Sequence, residues 1–146
     1  KWEYACRVGT TTPFYFGENI TSDQANYDGT FTYDGDQVEG ISHEQTMPVG
    51  SYPPNACGLH EMHGNICEWV EDFWHEDYMR SPSDGSAWVR GGLSSYCVHR
   101  GGSWACFEWE LRAAAREWRP YDVRLDDIGF RVAKNLAPEN VESPGV

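Results

Sequence analysis

Two short segments constrain the fold of this chain more than any periodicity does: His63-Gly64-Asn65-Ile66-Cys67-Glu68-Trp69 and Arg100-Gly101-Gly102-Ser103-Trp104. Each sets glycine beside polar residues and ends on tryptophan. Glycine lets backbones approach closely or take positive φ. The indoles of Trp69 and Trp104 are expected to fill a core that lacks much regular secondary structure. Arg100 and Arg131 carry five donors each, suited to bonding carbonyls and carboxylates in several directions. Near the end of the chain, Ile128-Gly129-Phe130-Arg131-Val132 is a third segment of this kind.

The remaining sequence is weakly periodic. Lys1 to Arg7 sets Trp2 against Cys6 and Glu3 against Arg7 at four-residue spacing, which predicts the last turns of a helix ended at Gly9. Phe14-Tyr15-Phe16 is expected to be a short strand or an aromatic plug. Glu18 to Ser42 reads as a long ordered loop or a weak hairpin around residues 27–31, and Met47 to Tyr52 as one short strand. Leu59, Met62, Ile66, Trp69 and Val70 recur at helical steps, but Gly64-Asn65 interrupts them, so a turn followed by a strand is as open as a helix. Asp77 to Ser95 reads as a surface loop, and Tyr96–His99 and Ile128–Val132 as short buried strands. Phe107 to Asp127 has no clean period. Residues 1–133 are expected to form one domain and 134–146 a tail or linker.

The formal net charge of −12 repels phosphate backbones and anionic lipid, so nucleic acid and membranes are poor candidate partners. Five cysteines, an odd number without regular spacing, argue against a disulfide scaffold, and free thiols lean towards a cytoplasmic setting. Cys57 and Cys67 stand in apolar surroundings and read as buried small hydrophobes. No Cys-x-x-Cys pair offers a structural zinc site.

Taken in order, the opening Lys1–Glu18 stretch, Gln24-Ala25-Asn26-Tyr27, the segment from Pro53 to Trp69, Arg100–Trp104 and Ile128–Val132 resemble the formylglycine-generating-enzyme (sulfatase-modifying factor) family. The resemblance runs from Lys1 to about Ala133. It implies an α+β fold, a variant of the C-type lectin fold with little regular secondary structure. The family's usual N-terminal portion, a strand and two helices, has no counterpart in this sequence. The sequence therefore reads as a truncated or fragmentary domain, or as one that a separate segment or subunit completes.

In the family's oxidases, copper is held by two cysteines that follow the Gly-Gly-Ser turn, five residues apart. Soft thiolates suit Cu(I). Cys106 stands at the first position and Leu111 at the second, so copper and formylglycine-generating activity are not expected. That activity is kept as the alternative, with Cys106 catalytic only in that case. His60, His63, His75 and His99 show no metal-ligand spacing and read as surface or core residues.

Other relatives are the variable proteins of diversity-generating retroelements, in which the stretch between Gly-Gly-Ser-Trp and Ile-Gly-Phe-Arg is diversified at adenines. Here that stretch is residues 105–127. Ala105, Cys106, Phe107, Ala115, Tyr121, Val123, Leu125, Asp126 and Asp127 are all reachable from an AAC codon by such mutagenesis, whereas Trp109, Glu117 and Trp118 are not and would be template-encoded. The resemblance implies a non-catalytic module that binds a protein or peptide. Its expected contact residues are Ala105, Phe107, Trp109, Glu117, Trp118, Tyr121, Val123, Leu125, Asp126 and Asp127. It also implies a structural calcium ion held by Glu61, the carbonyls of Gly64 and Ile66, and Glu68. For Glu68 the alternative is a carboxylate bonded to backbone amides or arginine. A second family calcium site near Asn26 and Tyr27 stays open.

Overall fold

A computed structural model describes residues 1–30 and 40–134. Helix α1 spans Trp2–Arg7. The strands are β1 (Cys67–Trp74), β2 (Leu93–Arg100), β3 (Glu117–Pro120) and β4 (Ile128–Gly129), with one 3-10 turn at Glu108–Glu110. They form a single mixed sheet in the order β3-β2-β1-β4, antiparallel except for the parallel β1–β4 pair. Two register shifts bend β1 between Trp69 and Trp74, as bulged strands do.

Several expectations hold and several do not. The helix is present and ends one residue early, with Val8 rather than Gly9 as the left-handed cap. Phe14 to Gly17 is a tight bridge whose aromatics plug the interior. Gly64-Asn65 does break the helical pattern, and a strand follows. Met47 to Tyr52 is a turn rather than a strand, because Pro48 has no amide to give a ladder and its carbonyl accepts from Ser51. The last strand stops at Gly129. Strand β3 was not foreseen, because its Glu-Trp-Arg-Pro sequence is exposed at a sheet edge and carries no buried stripe. Residues 31–39 and the tail after Lys134 lie outside the described residues. Trp69 and Trp104 are half-buried rather than central to the core, and Cys57 is exposed, in a turn held by the Asn55 carboxamide.

The core has two clusters. Phe14, Ile20, Ala25, Tyr27 and Leu111 form one, and Cys6, Met62 and Ala113 the other. His63 joins them. One ring nitrogen, Nδ1, lies 2.6 Å from the Leu111 carbonyl, and Nε2 accepts from the Tyr15 amide at 3.2 Å. These partners fix the neutral tautomer with the proton on Nδ1. The ring also stacks on Tyr15 and meets Phe14 edge-on.

With so little regular structure, side chains must satisfy much of the buried backbone. Asn65 Oδ1 accepts from the Met47 amide and from Asn26 Nδ2, while the Asn65 amide donates to the Asn26 carbonyl. Glu61 sits at positive φ and turns its carboxylate onto the amides of Gly50 and Tyr52. Glu68 accepts from Trp2 Nε1 at 2.7 Å and from Arg131 Nε at 2.7 Å, and Arg131 also reaches the carbonyls of His60 and Glu61. Arg100 donates to Glu3 and to the carbonyls of Ala113 and Ala115. Both arginines thus work as their sequence settings suggested.

Two predictions follow from this framework. Gly64 has φ +76°, and an added methyl would collide with the Asn26 backbone. Gly64→Ala should destabilise the fold by about 3 kcal/mol or more, read from urea midpoints. Burial lowers His63 and His99 from 6.5 to about 4. Their folded pKa values lie below the unfolded ones, so the stability that depends on neutral imidazole is complete above pH 6.5 and is lost as pH falls towards 4. At about 1.4 kcal/mol per pKa unit, the two groups together account for a loss of several kcal/mol. The urea midpoint should already fall between about pH 6.5 and pH 5, where most carboxylates are still ionised.

Candidate functional site

Residues 105–127 leave the Gly-Gly-Ser-Trp turn, form the 3-10 turn, supply edge strand β3 and enter β4. The turn can be this tight because Gly101 and Gly102 both take positive φ and Gly102 leaves no room for a side chain against Leu111. Of the expected contact residues, Ala105, Trp109, Glu117, Trp118, Tyr121, Leu125 and Asp126 are exposed. Phe107, Val123 and Asp127 are half-buried.

The structure does not gather them into one patch. Side chains alternate across a strand, and β3 divides its residues accordingly. Trp118 packs edge-on against Tyr96, with Trp74 beyond. Next to it the Arg116 guanidinium lies over the rings of both Trp74 and Tyr78, at 4.6 and 4.4 Å. This gives an aromatic surface that sequence reasoning missed, since Trp74, Tyr78 and Tyr96 fall outside residues 105–127. The signal was there in principle: aromatics on β1 and β2 at positions facing outward.

Glu117 and Arg119 point the other way. With Cys67, His99 and Cys106 they line a cleft of about 150 Å³, and Arg119 pairs with Asp127 at 3.5 Å. A third feature is the stacked pair Phe107 and Trp109, with centroids 4.7 Å apart. Trp109 borders a cleft of about 380 Å³ that also takes in Phe14, Glu18 and Arg112.

The small cleft holds the unusual chemistry. Cys67, expected to be a buried small hydrophobe, is buried and lines this cleft with Cys106, and Ser103 Oγ lies 3.4 Å from Cys106 Sγ. Cys67 and Ser103 beside it lower the Cys106 thiol, while Cys106 and burial push Cys67 up. The Nε2 atom of His99 is buried with no partner among the described residues.

The implied metals can be tested against these donors. For copper, the position of the second thiolate is Leu111, fully buried in the apolar cluster, so the family's cysteine pair is not formed. For calcium, Glu68 spends its carboxylate on Arg131 and Trp2, Glu61 spends its own on two amides, and the Gly64 carbonyl accepts from Ile66. As arranged, this donor set is that of a carboxylate bonded to arginine and does not fit a cation. No group of three or more metal-ligating side chains occurs among the described residues. At the second family position, Asn26 Oδ1 is buried without a partner among the described residues. His60 and His75 contact backbone carbonyls.

Comparison with known proteins places this arrangement. The chain is 35% identical over 138 residues to the serine/threonine-protein kinase pkn1 of Chlamydia caviae, covering 93% of this chain and 20% of that protein. It is 29% identical over 150 residues to the formylglycine-generating enzyme of Mus musculus, covering 94% of this chain and 38% of the enzyme. Among solved structures, variable protein 1 of Treponema denticola superposes with a TM-score of 0.66 at 27% identity, over 88% of this chain and 43% of that one. The chain therefore spans between a fifth and somewhat under half of these proteins. The expected fold, the formylglycine-generating-enzyme-like variant of the C-type lectin fold, is the one found. The family described as "Sulfatase-modifying factor enzyme 1-like domain" matches residues 1–136, and the chain belongs to that family.

Proposed function

We propose that this chain is a non-catalytic binding module that recognises a protein or peptide through exposed side chains of residues 105–127. The observation that carries the reading is where the large side chains of this stretch lie. Trp109, Trp118, Tyr121 and Leu125 are 38 to 66% exposed, while the core is closed by Ile20, Met62 and Leu111 without them. Rigid aromatic groups displayed on a fixed scaffold give contact area at low entropic cost. Trp74 and Tyr96 extend this surface around Trp118. The likeness to a variable protein supports the further proposal that residues 105–127 are a diversified segment. The kinase relative, of which this domain matches only a fifth, is consistent with a module joined to other parts.

The enzymatic alternative draws support from the formylglycine-generating relatives, but Leu111 in place of the second cysteine weighs against it. Peptides enriched on the immobilised protein from a displayed random library test the binding reading. Replacing Phe107, Trp118, Tyr121 and Leu125 together by alanine should abolish capture of those peptides and leave the melting temperature within a few degrees of the parent. Unfolding of the variant would remove the surface assignment.

Calcium at Glu61, Gly64, Ile66 and Glu68 would require Arg131 and the Gly50 and Tyr52 amides to release both carboxylates, and it is not proposed. With those partners in place, the expected effect of chelator on the melting temperature is none. A fall of several degrees, restored by added calcium, would establish the ion.

A further inference from the structure

Cys67 begins β1, and Cys106 lies three residues beyond Ser103, so the sheet and the Gly-Gly-Ser-Trp turn bring together two thiols far apart in sequence. Both side chains line one cleft, the Trp104 amide ties the turn to the Asn65 carbonyl just before β1, and Ser103 Oγ contacts Cys106. Their exposure differs. Cys67 is 2% exposed, whereas Cys106 is half-buried, and both border the cleft of about 150 Å³. Cys106 is thus the more accessible of the two. The same cleft includes His99, opposite Trp69 on β1 and Glu117 on β3, with its Nε2 unspent among the described residues. The other three cysteines stand elsewhere. Cys6 is buried beside His63, Cys57 lies in an exposed turn, and Cys97 is in mid-β2 opposite Arg119.

We propose that Cys67 and Cys106 are a redox-active dithiol, in which a hydroperoxide entering the cleft oxidises Cys106 and Cys67 then closes a disulfide with it. In the first step the Cys106 thiolate attacks one peroxide oxygen. The S–O bond forms, the O–O bond breaks, and the departing oxygen takes a proton to leave as water or an alcohol. In the second step Cys67, giving up its proton, attacks the sulfenic sulfur. The S–S bond forms, the S–O bond breaks, and the hydroxyl leaves with that proton as water. Two electrons pass from the two thiols to the peroxide. A small dithiol reductant reverses the process by exchange. This dithiol is distinct from the copper pair of the related enzymes, whose second position is Leu111 here, and it does not depend on the binding reading above.

The positions divide the roles. The accessible sulfur reacts first and the enclosed one resolves, which protects Cys106 from further oxidation.

The test uses the full chain, reduced and then treated with a few equivalents of hydrogen peroxide. Cys57→Ser is introduced so that the exposed thiol does not join two molecules. The expected product has lost two hydrogens, yields a Cys67–Cys106 linked peptide on a non-reducing digest, and returns to the starting mass with dithiothreitol. Cys67→Ala should instead hold Cys106 as a sulfenic acid that dimedone traps. Cys106→Ala should leave Cys67 unmodified under the same conditions. If the parent keeps all its thiols free, or links a different pair of cysteines, the proposal is overturned. That measurement needs no variant at Cys67 or Cys106, so a folding failure of either substitution does not obscure it.

Discussion

The carboxylate of Glu68 is the point on which the scaffold depends. It lies on the central strand β1, between β2 and β4, and takes hydrogen bonds from Trp2 on the helix and from Arg131 beyond the last strand. A buried charge is tolerated only when its partners surround it, and here the partners are the two ends of the described fold. Removing Arg131 would leave a 5% exposed carboxylate with one neutral donor, a change of the kind that costs about 3–5 kcal/mol. Because Arg131 also bonds the carbonyls of His60 and Glu61, the same pair orders the strained turn that precedes β1. The core is then assembled around a polar joint rather than a helix bundle or sandwich, with His63 filling a corresponding place between the two apolar clusters.

This explains how much of the molecule could be read from its sequence. Glycine, asparagine and arginine at Gly64-Asn65, Gly101-Gly102 and Arg131 are legible because few residue types take positive φ or donate in several directions. They marked the scaffold correctly. The helix at Trp2–Arg7 was legible from four-residue spacing, and β2 from its apolar run. What was hidden depends on tertiary neighbours. Nothing in the Glu117–Pro120 segment announces an edge strand, because its pairing is supplied by β2. Nothing in Ile66-Cys67-Glu68 announces that Cys67 meets Cys106, because the contact is made by the sheet and the glycine turn together.

Seven of the ten residues expected to make contact are exposed, but their arrangement was not legible in the sequence. Strand alternation, however, turns Trp118 to one face and Glu117 to the other, and no count along the chain assigns either to a partner. Glu61 and Glu68 show the converse. As residue types they suit calcium, yet amides, an indole and a guanidinium already satisfy them. Composition names the donors available, and only the packing says which acceptors remain open.

Strands β3 and β4 lie at opposite edges of the sheet, so residues 121–127 must carry the chain past the two strands between them. Both ends of that passage are fastened to the ladder, by the Tyr121 amide on the Ser95 carbonyl and by the Cys67 amide on the Asp127 carbonyl. A connection pinned at both ends can gain or lose residues without shifting either register. The entropic cost grows slowly, by roughly 0.6 kcal/mol for each doubling of its length. In this fold, therefore, the connection nearest β4 is free to vary in length as well as in chemistry, whereas the stretch before β3 is tied to the glycine turn and the core through Leu111.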